Sequence, residues 1–114
     1  MAADIRDAEQ ALLVCLRHPL RKLLLSLYVK EGGKLSPKEL ADFTKRRLSS
    51  VGYHVRELAK YGAVELVDAQ PRRGAVEHFY KATALVDEVP WARTALGLQP
   101  EPSGNDTNDT DPDQ

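Results

Sequence analysis

Basic side chains cluster in one stretch of the chain, between Thr44 and Lys60. That stretch contains five bases and a single acid, Glu57. The five bases are Lys45, Arg46, Arg47, Arg56 and Lys60. A second basic pair, Arg72 and Arg73, stands just before a glycine in a segment rich in turn-forming residues. Guanidinium and ammonium groups bind the oxygens of phosphates and carboxylates, so this grouping predicts recognition of a polyanion.

The overall charge of the chain hides this basic character. The 114 residues carry a net charge of −1, but the segment from Gln99 onward holds five acids and no base. Residues 1 to 98 therefore hold sixteen bases and twelve acids, a net charge of +4. We expect residues 1 to 98 to form one domain and residues 99 to 114 to be a disordered acidic tail. That tail either folds back over the basic face or only keeps the protein soluble.

The size and composition of the chain restrict the class of protein and the cellular compartment that we expect. A domain of this size is too small for a large internal ligand cavity, which excludes a large multi-substrate enzyme. The single cysteine, Cys15, predicts a reducing, cytoplasmic setting. The longest mostly apolar run, Leu23 to Val29, is far shorter than the ~20 residues of a membrane span, so we expect no membrane partner.

Four helices are predicted in the first half of the chain. Apolar residues at three- and four-residue steps indicate helices over residues 4 to 17 and 19 to 30, the second ending at Gly32. Ser36 and Glu39 form a capping box, and Pro37 takes the first helical position, which predicts a third helix from Pro37 to Phe43. Residues 44 to 47 form the connection, and Ser49 or Ser50 caps a fourth helix that continues to about residue 61.

A small β-hairpin is predicted after the fourth helix. Residues 63 to 67 indicate one strand, residues 70 to 74 a loop, and residues 76 to 81 the partner strand. Residues 84 to 98 predict one or two short helical turns interrupted at Pro90. The fold class is therefore mainly α with a small β-hairpin, in the order of a winged helix-turn-helix.

The fourth helix separates an apolar stripe from a polar face. At 100° per residue the stripe consists of Leu48, Val51, Val55, Leu58 and Ala59. The polar face consists of Ser49, Ser50, Tyr53, Arg56, Glu57 and Lys60, and His54 stands at the boundary. One interpretation is an ordinary solvated helix face. The other, favoured by the neighbouring bases and the hairpin, is a helix that enters a DNA major groove.

The DNA interpretation assigns a role to each polar residue. Ser49, Ser50 and Tyr53 would face base edges, Arg56 a guanine or a phosphate, and Lys60 the backbone. Lys45, Arg46 and Arg47 would meet phosphates, and Arg72 or Arg73 would enter a minor groove, unless the hairpin pair is only a solvated turn. With His54 at the boundary, these eleven residues are the predicted DNA-binding set.

Three stretches resemble a known family. They are HPLRKLLLSLYVKEGGKLSPKELA (18 to 41), LSSVGYHVRELAKYGAVELV (48 to 67) and PRRGAVEHFYKA (71 to 82). Together they resemble the winged-helix domain of ArsR-type bacterial transcriptional regulators. The resemblance implies a dimeric DNA-binding regulator, with a recognition helix at residues 49 to 61 and a wing at residues 69 to 75.

The chain departs from that family at two points. Relatives usually have a glycine and an apolar residue in the turn where this chain has Lys45, Arg46 and Arg47. They also tend to have a small polar residue where Gly52 stands. A glycine inside a helix costs about 1 kcal/mol relative to alanine. Gly52 fits either a close approach of the backbone to DNA or a weakly binding site.

Other kinds of site find little support in the sequence. Cys15, His18, His54 and His78 occur singly, whereas metal sites need several convergent ligands, so we expect no metal and no cofactor. Gly32-Gly33 lacks the spacing of a phosphate-binding loop, so we expect no enzyme. The predicted function is a homodimeric, sequence-specific DNA-binding repressor whose effector, if any, is unknown. The alternative is a winged-helix module that binds an acidic protein rather than DNA.

Overall fold

The computed structural model describes residues 5 to 98, which form a mostly helical fold with one two-stranded antiparallel hairpin. The elements in chain order are α1 (Ile5–Leu16), α2 (Pro19–Glu31), α3 (Pro37–Thr44), α4 (Leu48–Lys60), β1 (Val64–Arg72), β2 (Ala75–Ala82), a 3₁₀ turn (Val86–Glu88) and α5 (Ala92–Ala95). The predicted order of helices and hairpin is confirmed. Among residues 5 to 98, none of the helices combines the length and the apolar character that a membrane-spanning segment needs.

The predicted start of α3 and end of α2 are confirmed by their capping contacts. The Ser36 hydroxyl accepts from the Glu39 backbone N–H at 3.1 Å, and the Glu39 carboxylate accepts from the Ser36 N–H at 2.9 Å. Gly32 ends α2 with a left-handed φ of 74°, and its N–H donates to Tyr28. Both junctions are set locally, by residue types that satisfy the unpaired backbone groups at a helix end.

The core lies where α2 packs against α1 on one side and α4 on the other. Leu12, Leu24 and Val55 are fully buried there. Tyr28 is also fully buried, and its hydroxyl donates to the Leu35 carbonyl at 2.9 Å. Leu35 in turn pairs with Tyr80 through two backbone hydrogen bonds, which join the hairpin to the helices. This pairing fixes the base of the hairpin relative to α2 and α3.

The hairpin is longer than the sequence predicted. β1 continues through the predicted loop to Arg72, and only Arg73 and Gly74 form the turn, with φ of 41° and 84°. Positive φ at both residues is typical of the two-residue turn whose twist matches an antiparallel pair. A β-bulge between Leu66 and Asp68 interrupts the register. Because a bulge breaks strict alternation, it leaves Leu66 and the following valine both about half exposed.

Three predicted details of burial and capping are wrong. The helical period of the second helix predicts that Leu23 faces inward with Leu20, Leu24, Leu27 and Tyr28, but Leu23 is 39% exposed, whereas Leu25 is fully buried. Leu48 is 53% exposed, because it stands at the first turn of α4 beyond the reach of the core. The N-cap of α4 is Arg47, with no side-chain hydrogen bond, rather than either predicted serine.

The C-terminal turns pack back onto α1. Val86, Val89, Ala92 and Leu96 are buried against the helical core. The indole N–H of Trp91 donates to the Glu9 carboxylate of α1 at 3.1 Å, and Trp91 remains 36% exposed. Residues 99 to 114, predicted to be a disordered tail, lie outside the described residues.

Candidate nucleic-acid interface

The turn between α3 and α4 consists of Lys45, Arg46 and Arg47, all exposed. Lys45 caps α3 in the left-handed region, with φ of 62°, and its backbone N–H donates to Ala41. A residue with a Cβ costs free energy in this region, and glycine is usual there. Lys45 therefore holds a cation at a strained position of the turn, directly beside Arg46 and Arg47.

The polar face of α4 is exposed as predicted except at Glu57, which is half-buried. Ser49, Ser50, Arg56 and Lys60 are exposed, and Tyr53 is 50% exposed. The Lys60 ammonium lies 5.6 Å from the ring centroid of Tyr61, a cation–π contact that leaves the charge in solvent. The helix thus presents hydroxyls, one phenol and two cations along one side.

Gly52 lies beneath the Arg56 side chain. Gly52 is buried, and a Cβ built there would be 3.3 Å from the Arg56 guanidinium. The absence of a side chain at position 52 therefore gives Arg56 room to lie along the helix. The structure does not leave the Gly52 backbone open for a close approach of DNA.

His54 is the one residue of the predicted set that the structure buries. It is 7% exposed, its ring stacks on His18 at 4.2 Å between centroids, and its Nδ1 accepts from the Arg21 guanidinium at 3.2 Å. Burial lowers the pKa of His54, and the charges of His18 and Arg21 add to that effect. His54 therefore joins α4 to the start of α2 and does not contribute a side chain to the exposed face.

The two hairpin arginines differ in their contacts. The Arg72 guanidinium donates to the Glu77 carboxylate at 2.9 Å and to the Gln70 side chain at 2.7 Å. Arg73 is exposed at the tip, and among residues 5 to 98 no carboxylate pairs with it. Arg73 is thus the better-placed ligand for an anion, while Arg72 stabilises the hairpin.

Glu77 makes contacts that stabilise the hairpin and that the sequence did not predict. Its second carboxylate oxygen accepts from the hydroxyl of Ser36, which is fully buried at the start of α3. This hydrogen bond lowers the pKa of Glu77, and the Arg72 guanidinium contributes further. The two-residue turn at Arg73 and Gly74 places Glu77 near Arg72. The sequence did not predict this contact, because the loop that it predicted was longer than the turn.

Five cations on this side of the molecule have neither a carboxylate partner nor a cation–π contact in the described part of the chain. They are Lys45, Arg46, Arg47, Arg56 and Arg73, and together they form what we call the cationic face. Arg56 and Arg73 border the same groove, so the face of α4 and the hairpin tip lie on one side. By contrast, Lys34, Lys38 and Arg72 are paired with Asp68, Asp42 and Glu77.

An apolar groove separates α4 from the hairpin. Its volume is about 870 Å³, and Leu48, Leu66 and Val76 line it, each more than half exposed. These three aliphatic side chains face solvent in one place and form an apolar patch, which is a candidate contact surface. The sequence did not predict this groove, because Leu48 was assigned to the core and the bulge at Leu66 has no sequence signal.

Neither a metal site nor an activated thiol occurs among residues 5 to 98. No group of three or more His, Cys, Asp or Glu side chains is placed to hold a metal ion. His18 and His54 are neighbours rather than isolated, contrary to the prediction, but they lack a third ligand. Cys15 is fully buried, and burial raises the pKa of its thiol to about 11, so it is a core residue rather than a nucleophile.

Comparison with models of known protein families finds none that matches this chain, and no curated protein matches it.

Proposed function

We propose that the chain is a winged helix-turn-helix regulator of transcription that binds double-stranded DNA through the cationic face. In this proposal α4 is the recognition helix, the β1–β2 hairpin is the wing, and the protein acts in the cytoplasm. Bound upstream of a gene, such a protein represses by occlusion. The resemblance to ArsR-type regulators and the order of α3, a short turn, α4 and a hairpin support the assignment.

The observation that carries the proposal is the set of five unpaired cations. Lys45, Arg46 and Arg47 are consecutive, while Arg56 and Arg73 border one groove across from each other. Each cation that neutralises a phosphate releases condensed counterions, which supplies affinity without reading sequence. Cations needed only for solubility would not have to be grouped or kept free of acids.

The exposed face of α4 supplies the groups that would read bases. Ser49, Ser50 and Tyr53 occupy its first two turns, which is the part of a recognition helix that reaches base edges. The Arg56 guanidinium can make a bidentate contact with guanine. Without His54, the proposed set comprises Lys45, Arg46, Arg47, Ser49, Ser50, Tyr53, Arg56, Lys60 and Arg73, with Arg72 in support.

A homodimer would present two recognition helices to successive major grooves, about 34 Å apart. The proposed interface consists of α1 and residues 86 to 98. Trp91 and Leu13, exposed at 36% and 48%, offer apolar surface there. Aromatic side chains are frequent anchors of such interfaces.

The salt dependence of binding to a random duplex tests this proposal. Phosphate contacts from the five residues of the cationic face predict a log–log slope of about −4.5, at roughly −0.9 per contact, and a contact from Lys60 would make the slope steeper. Arg46→Gln and Arg73→Gln should each flatten the slope by up to about one unit. Lys81→Gln is the matched control, because Lys81 lies on the hairpin face away from the apolar groove. No binding at ~50 mM salt, or equal effects of all three variants, would reject the proposal.

The apolar groove favours a second candidate function, a module that binds an acidic protein. Leu48, Leu66 and Val76 would bury apolar surface against that partner, and the cations at the rim would pair with its acids. Double substitution of Leu66 and Val76 by serine separates the two functions. It should leave the slope for random duplex unchanged if the cationic face binds phosphates.

A further inference from the structure

We infer that residues 99 to 114 bind the cationic face of their own chain and compete with DNA for it. This segment holds Glu101, Asp106, Asp109, Asp111 and Asp113 and no base. The contact itself needs only the acids of this segment and the charges of the cationic face. Its effect on DNA rests on the proposed function.

Charge complementarity selects the cationic face as the docking surface. Lys45, Arg46 and Arg47 are the one run of three consecutive bases in residues 1 to 98. Arg56 and Arg73 add two charges at the rim of the groove. Glu57, the one acid between Thr44 and Lys60, is half-buried. Grouped like charges create a potential that attracts a polyanion more strongly than the same charges would separately.

The length of the segment is sufficient to reach that face. Leu98 follows the turns that pack on α1, and α2 lies between α1 and α4. Two helix spacings of 8 to 10 Å place α4 roughly 20 Å away. An extended chain spans about 3.3 Å per residue, so Asp106 reaches about 26 Å from Leu98 and Asp113 about 50 Å.

The contact must be ionic rather than apolar. Residues 99 to 114 contain no Ala, Val, Leu, Ile, Met, Cys or aromatic residue, and their apolar side chains are three prolines, so they have little apolar surface with which to fill the groove between Leu48 and Val76. A tethered polyanion has an effective local concentration in the millimolar range, which lets weak ion pairs compete with an external ligand. Salt screens such pairs, so the contact should weaken as ionic strength rises.

A nitroxide attached to Ser103→Cys tests the contact without DNA. The native Cys15 is fully buried with a raised thiol pKa, so it stays unlabelled at neutral pH. At ~20 mM salt the label should broaden the amide signals of Arg46, Arg47 and Arg73, and ~0.5 M salt should restore them. The matched control carries the same label on a tail whose five acids are changed to amides. Absence of broadening at these amides, or equal broadening in the control, would overturn the inference.

Binding to random duplex tests the competition. A chain ending at Leu98 and the chain with the five-amide tail should each bind about 3- to 10-fold more tightly than the full chain at ~50 mM salt. A tail with the same residues in shuffled order should behave as the native one, since the contact depends on charge. Equal affinities of all chains would show that the tail does not compete. If no chain binds duplex, the proposed function fails, while the nitroxide experiment still decides the contact.

Discussion

Replacing Lys45 by glycine should stabilise the protein and weaken its binding to DNA at the same time. Lys45 holds a left-handed conformation with φ of 62° at the end of α3. This conformation costs a residue with a Cβ roughly 1–2 kcal/mol, and the greater freedom of glycine in the unfolded chain takes back roughly 0.5–1 kcal/mol. The net gain is about 0.5–1 kcal/mol, which corresponds to a rise of roughly 2–8 °C in Tm for a domain of this size.

The matched control for this prediction is Lys45→Ala, which removes the same charge but keeps the strain. Chemical and thermal unfolding should show Lys45→Gly more stable than Lys45→Ala, and Lys45→Ala close to the native protein. Both variants should flatten the salt slope for random duplex by up to about one unit, because each lacks the same phosphate contact. If Lys45→Gly were no more stable than Lys45→Ala, the turn would not be strained and the reasoning from its φ would be refuted.

Three further predictions concern the supports of the cationic face. Gly52→Ala should raise the free energy of unfolding by up to about 1 kcal/mol, because alanine favours a helix and the Arg56 side chain, 3.3 Å from the new Cβ, can move aside. A lower free energy of unfolding in denaturant would mean that Arg56 is fixed in place. Glu77→Gln should lower Tm and tighten binding to random duplex, because the substitution removes a negative charge beside Arg72. An unchanged affinity in an anisotropy titration would show that Arg72 does not take part in the interface. The free energy of unfolding should fall as the pH decreases from 7.5 to 5.5. The reason is that the pKa of His54 is lowered in the fold, so on acidification His54 takes up a proton in the unfolded chain, near pKa 6.5, before it does so in the folded protein. His54→Asn should reduce this pH dependence, and an unchanged dependence would contradict the burial of His54.

Local sequence signals predicted the helices well because the causes of their ends are local. Ser36 and Glu39 satisfy the first backbone groups of α3, and Gly32 ends α2, with no contribution from distant residues. The period of the apolar residues also assigned most of the buried side of α4. Leu48 broke this pattern, since a residue in the first turn of a helix can lie beyond the body against which the helix packs.

The features that the sequence did not predict depend on contacts between residues that are far apart in the chain. His54 is buried because α2 brings His18 and Arg21 against it, which helical periodicity cannot report. The five-residue loop predicted from Pro71 and Gly74 was too long, because Arg73 adopts a positive φ and lets the strands pair up to the tip. That error hid the contacts of Arg72 and the groove beside the hairpin. The exposed set of cations was predicted, and its division into paired and unpaired members was not.

The most direct test of the proposed interface is to map the binding of a random duplex onto the amide signals of the protein at ~50 mM salt. We predict that the largest shifts fall on residues 45 to 47, on the exposed positions of α4, and on Arg73. Signals of α1 and of residues 86 to 98 should move little. Shifts concentrated on α1, or a duplex that moves no signal at all, would contradict the claim that the cationic face binds DNA.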